Sequence, residues 1–153
     1  SYGYLLELKK VEIDQDRWLD ALKGLSTLDG ESIEAYEEAM SHYNGPYLEN
    51  YDYTWLEAER EKTKQIYEQY ATKIAAFYME NGKLDDAILW YGKLLEHDPT
   101  IEDAHFQLMK LYELKGDFTA MMQQYNTLHK VCRSNLDTKP SEHIKEWYLE
   151  RLK

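Results

Sequence analysis

The 153 residues suffice for one domain with a buried core, and a hydrophobic share of 43% argues against a disordered tail. The formal net charge of −11 repels a phosphate backbone, so the segment is a poor nucleic-acid binder by itself; its acidity serves solubility and suits basic partners. One cysteine, Cys132, excludes an internal disulfide and a multi-cysteine zinc site, and only 3 Pro and 7 Gly favour helices over a turn-rich β fold.

In chain order, residues 2–8 place Tyr4, Leu6 and Leu8 on one side of a period-two pattern and read as one short strand. No second strand is evident, so its ladder partner belongs to a missing segment or to another chain. Asp14 can cap a helix running to about Gly24, with Trp18, Leu19, Leu22 and Leu25 on one face. Asp29-Gly30 forms a turn, and a helix from about Ser32 to Tyr43 carries Ile33, Tyr36, Met40 and Tyr43 as its apolar stripe. Asn44-Gly45-Pro46 breaks that helix, and residues 47–53 form an aromatic loop.

Thr54-Trp55-Leu56-Glu57 has the pattern of a capping box and opens a long helix to about Glu80. Ile66, Tyr67, Tyr70, Ile74, Phe77 and Tyr78 form its expected buried stripe, and Asn81-Gly82 ends it. Gly82 and Gly116 are 34 positions apart, and the same offset superposes Ile74 on Leu108, Tyr78 on Tyr112, Leu84 on Phe118, Tyr91 on Tyr125 and Leu94 on Leu128. That spacing is the tetratricopeptide period, two antiparallel helices per repeat. Gly82 and Gly116 then mark inter-helix turns, Asp98-Pro99 a closing turn, and Ala87 the small residue where paired helices approach. Met121 occupies the place of Ala87 in the second copy, which is therefore expected to be more open. After a loop at Arg133–Pro140, Ser141 is expected to cap a last helix with Ile144, Trp147, Tyr148 and Leu152 facing inward, closing the stack. The fold expected is all-α: a tetratricopeptide-like array of about seven helices with a short N-terminal strand.

The order of these pieces is more specific than a generic repeat. Tyr43-Asn44-Gly45-Pro46-Tyr47-Leu48, then Tyr53-Thr54-Trp55-Leu56-Glu57-Ala58-Glu59-Arg60, then two repeats, then Leu136-Asp137-Thr138-Lys139-Pro140-Ser141 resembles the bacterial transcriptional activator domain of SARP-type (antibiotic regulatory protein) regulators. The resemblance covers roughly residues 11–152. It implies that residues 1–10, with Gly3-Tyr4-Leu5-Leu6-Glu7-Leu8, are the last strand of a preceding winged-helix DNA-binding domain, and that residues 11–153 are the activator domain. It further implies a regulatory and protein-interaction role in a cytoplasmic transcription activator, through oligomerisation, signal relay or contact with the transcription machinery. Some relatives carry an upstream receiver domain of the two-component type. Partners implied are a second copy, the chain's own DNA-binding domain and RNA polymerase, with DNA reached only through the winged helix. A stand-alone peptide-binding scaffold is the alternative, separated by whether a basic winged-helix segment lies upstream of Ser1.

No enzyme is expected: there is no Ser/His/Asp set, Gly-rich phosphate loop or metal motif, and no cofactor is implied. Glu57, Glu59 and Glu61, and Glu37 with Glu38, read as solvated helix faces. His129 and Cys132 are spaced i, i+3 but are too few for a metal, and Cys132 reads as a small buried residue. Trp55, Glu59 and Arg60 read as an anchored helix start in preference to a contact with the DNA-binding domain. No apolar run reaches membrane-spanning length. The inner faces of the first helices of the repeats present Gln69, Thr72, Ala76 and Met79, then Asp103, Phe106, Lys110 and Glu113. These positions either line a groove for a protein or peptide partner or lie beneath the final helix.

Overall fold

The computed structural model describes residues 18–22, 25, 28–41 and 54–153. The strand expected over 2–8 and the aromatic loop over 47–53 lie outside the described residues, as do the side chains of Trp55, Glu59 and Arg60. The architecture is an all-α helical repeat array, with no strand among the described residues. Residues 18–22 are helical (α1), followed by α2 (Ile33–Ser41), α3 (Thr54–Glu80), α4 (Leu84–His97), α5 (Glu102–Leu114), α6 (Phe118–Asn135) and α7 (Glu142–Arg151). The chain divides into two compact units, Ser1–Phe77 and Tyr78–Lys153.

In the first unit, Trp18 and Leu22 are buried, while Leu25 is half-buried and outside the helix. α2 begins at Ile33, one residue after the expected Ser32, and Asp29 holds the turn that leads into it. The Asp29 side chain accepts hydrogen bonds from the backbone N–H groups of Glu31 and Ser32, and Ser32 Oγ accepts from the Asp29 N–H. This reciprocal arrangement satisfies the orphan donors of a helix start and holds the Asp29 carboxyl below its usual range. Ile33, Tyr36, Ala39 and Met40 are then buried on one face, and the Tyr36 ring stacks on Tyr70 at 6.1 Å. On α3, Thr63, Ala71, Ile74 and Ala75 are the buried residues of this unit, whereas Ile66, Tyr67 and Tyr70 are only half-buried.

The second unit shows the repeat at atomic level. Lys83 N–H donates to the Tyr78 carbonyl at 2.9 Å and Gly82 N–H to Met79 at 3.2 Å; 34 residues later Asp117 donates to Tyr112 at 2.9 Å and Gly116 to Glu113 at 2.9 Å. Both helices thus end in the same Schellman turn, with φ of +74° at Gly82 and +77° at Gly116. An added Cβ would meet nothing within 4 Å at either glycine, so the requirement for glycine is one of backbone conformation alone. Gly116→Ala should therefore cost about 1–2 kcal/mol with little change in structure. Urea unfolding checks this, and an unchanged midpoint would contradict it.

Between the repeats, Asp98 Oδ1 accepts from the Thr100 N–H at 3.0 Å and from its hydroxyl at 2.6 Å, fixing the turn that contains Pro99. Short connections make neighbouring helices antiparallel, and α5 packs against both α4 and α6. Ala87 is fully buried, as are Leu94 and its counterpart Leu128. Met121 is also buried, inside a cluster with Phe106, Met109, Leu128, Cys132, Ile144 and Tyr148. The second copy is therefore not opened by the larger residue; its core is built around it.

Two expectations about α7 are corrected. Ser141 stands at its N-cap but makes no capping side-chain bond; its hydroxyl and N–H instead donate to the Glu102 carboxylate, 39 positions away. Leu152 does not face inward: it follows the last turn and is 51% exposed.

Candidate interaction surface

The inner-face residues of α5 recur at steps of three and four, so Asp103, Phe106, Lys110 and Glu113 share one side of that helix. The structure brings α7 onto that side. The Phe106 ring meets both His143 and Trp147 edge-on, each at 5.5 Å between centroids. The Lys110 ammonium lies 4.1 Å over Phe106, and the Arg151 guanidinium lies 4.1 Å over Trp147. Arg151 Nε donates to Glu113 at 2.8 Å, and its Nη1 donates to the Trp147 carbonyl at 3.2 Å. Beneath this layer Tyr125 stacks on Tyr148 at 4.0 Å.

Lys110, Phe106, Trp147, Arg151 and Glu113 form one alternating run of cations, rings and a carboxylate. Each ring face attracts a cation, and the terminal ion pair is partly shielded, so the run fixes the rotation of α7 as well as its position. Phe106 is 8% exposed and Glu113 half-buried, whereas Asp103 remains exposed. Of the positions on α3, Gln69 and Thr72 are exposed, and Ala76 and Met79 are half-buried. The Thr72 hydroxyl donates back to the Glu68 carbonyl at 2.7 Å.

Hydropathy gave no sign of His105, which is 1% exposed. Its Nε2 lies 2.8 Å from the Pro99 carbonyl and its Nδ1 lies 2.7 Å from Gln124 Nε2. Those partners suit a neutral ring donating through Nε2 and accepting at Nδ1. The residue thereby pins the Pro99 turn to α6. Burial lowers its pKa from the ordinary 6.5, against the opposing pull of the Pro99 carbonyl and Glu102. The unfolded chain takes up a proton near pH 6.5 while the folded chain still excludes it, so stability present above that pH falls as pH drops toward the lower folded value. Unfolding midpoints measured from pH 7.5 to 5 should decline in this window, and His105→Gln should flatten that part of the curve. An identical decline in both proteins would assign it elsewhere.

Burial likewise pushes the Tyr91 hydroxyl up to about 12, aided by the charges of Asp103 and Glu80. Cys132 is fully buried and its thiol is raised by the same cause, which disfavours the thiolate a nucleophile requires. His129 is half-buried against the edge of Tyr125. Among the described residues, no helix is long and apolar enough to cross a membrane. The chain matches the family described as the bacterial transcriptional activator domain over residues 25–151. No curated protein matches it.

Proposed function

Because the chain belongs to the bacterial transcriptional activator domain family, we propose that it serves as the regulatory and interaction module of a cytoplasmic transcription activator whose DNA reader is a separate winged helix preceding it. It works through protein contacts: with a second copy, with its own DNA-binding domain, and with RNA polymerase. The observation that carries this reading is the match over residues 25–151, nearly the whole helical array. The net charge of −11 supports it, since an acidic helical surface suits basic protein partners and opposes direct contact with DNA. Partner contacts run along the inner faces, through Gln69, Thr72 and Met79 and through Asp103 and the Lys110 edge of the ring-and-cation run. Residues 1–10 supply the final strand of the winged helix.

The isolated domain is expected to show no saturable DNA binding in a gel shift at about 0.15 M salt. The longer protein including the upstream winged helix should bind and activate transcription in vitro. In that longer protein, Gln69→Lys with Thr72→Lys should reduce activation while leaving the gel shift intact. Tight, salt-sensitive DNA binding by the isolated domain would overturn the reading. A gene with no winged-helix segment upstream of Ser1 would favour a stand-alone scaffold.

A further inference from the structure

A cleft of about 740 Å³ lies at the end of α6, lined by His129, Arg133, Asp137, Thr138 and Lys139. This size falls in the range of small-ligand sites. Among the described residues the lining is unusual for a chain of net charge −11, because cationic or imidazole groups supply three of the five that line it. Four other cations of the same unit are held on partners: Lys115 on Asp85, Arg151 on Glu113, Lys93 over Trp90 and Lys110 over Phe106. Arg133 and Lys139 are exposed and make no ion pair or ring contact among the described residues. The carbonyl end of α6 favours a cation in its last turn, which accounts for Arg133. It does not account for Lys139, which lies beyond the helix.

Asp137 has φ of +47°, the one non-glycine residue with positive φ among those described, whereas the left-handed turns that end α3 and α5 use Gly82 and Gly116. Leu136 and Thr138 both donate to the Cys132 carbonyl, at 3.3 and 3.0 Å, so the turn is closed around this residue. Glycine would take that conformation with less strain. The aspartate instead brings a carboxylate, an acceptor only, into a basic cleft.

We propose that this cleft binds a phosphate monoester that carries hydroxyl or amide donors beside the phosphate. Arg133 offers a planar fork and Lys139 a point charge to the phosphate oxygens, and the Thr138 hydroxyl adds a donor. The Asp137 carboxylate opposes a bare anion and accepts from the neighbouring donors, so it selects an esterified phosphate over inorganic phosphate. Two sources share this chemistry: a free nucleotide or sugar phosphate, and a phosphorylated side chain of a protein segment. The proposal stands apart from the transcription reading and survives its failure.

The test is an amide-resonance titration of the whole chain with inorganic phosphate, adenosine monophosphate and a phosphoserine peptide, each against sodium chloride at equal ionic strength. Saturable shifts at residues 129–139 are expected with the esters and not with chloride. Arg133→Gln and Lys139→Gln should each weaken ester binding about tenfold, the loss of one charge-assisted contact. Lys145→Gln, outside the cleft, should have no effect. Asp137→Gly, which keeps the turn, should strengthen inorganic phosphate and erase the preference for esters. Chloride matching the esters, or Arg133→Gln and Lys139→Gln binding like the parent, overturns the proposal. Stronger binding of the nucleotide assigns the source to a free metabolite, and stronger binding of the peptide to a phosphorylated protein; either supports the site.

Discussion

Ile144→Ala should destabilise the second unit by about 2–5 kcal/mol, while Leu149→Ala on the same helix should change it by less than about 0.5 kcal/mol. Both remove aliphatic carbons from α7, so helix propensity and length cannot separate them. Burial does: Ile144 is 1% exposed and packs into the cluster of Phe106, Met121, Leu128 and Tyr148, whereas Leu149 is 47% exposed. A cavity beneath α7 cannot be filled by rotation of the helix, because the Glu113–Arg151 pair and the Glu102–Ser141 bonds hold both of its ends. Urea unfolding of the two variants decides this. Equal effects would mean that α7 is not docked as described, and the covering of Phe106 would then have to be abandoned.

The repeat was legible because its markers are local. A glycine at a helix end declares a left-handed backbone, and two such glycines 34 apart declare a period. The ends of α3, α4 and α5 follow from those signals and from Pro99. The contents of the seams were less legible. Ala71 and Ala75 are fully buried but contribute little to an apolar stripe, while the larger Ile66 and Tyr67 dominate the pattern and are only half-buried. His105 looks polar and is buried because Pro99 and Gln124 satisfy both ring nitrogens.

Local rules also fail where a distant residue competes. Ser141 has the residue type and position of a cap, yet Glu102 draws its hydroxyl away; a carboxylate is the stronger acceptor and also neutralises the positive end of α7. The sequence left open whether α7 covers the inner face of α5. The answer depends on Trp147 and Arg151 meeting Phe106 and Glu113, contacts between residues some 40 positions apart that no periodicity within either helix encodes.

One repeat position is filled in opposite ways in the two copies. Ala87 and Met121 are 34 residues apart, and both are at most 1% exposed. If each seam is packed to its own residue, the two cannot be interchanged. Ala87→Leu should overpack its site and destabilise by roughly 1–3 kcal/mol. Met121→Ala should leave a cavity among Phe106, Met109 and Leu128 and destabilise by about 2–5 kcal/mol. Alanine is the better helix former, so propensity alone predicts that Met121→Ala is mildly stabilising and that Ala87→Leu is close to neutral. The packing and propensity accounts therefore differ in sign for Met121→Ala, and a calorimetric melt of that variant separates them. A raised midpoint would show that the repeat tolerates a small residue at either copy and that Met121 fills space the helices could close without it.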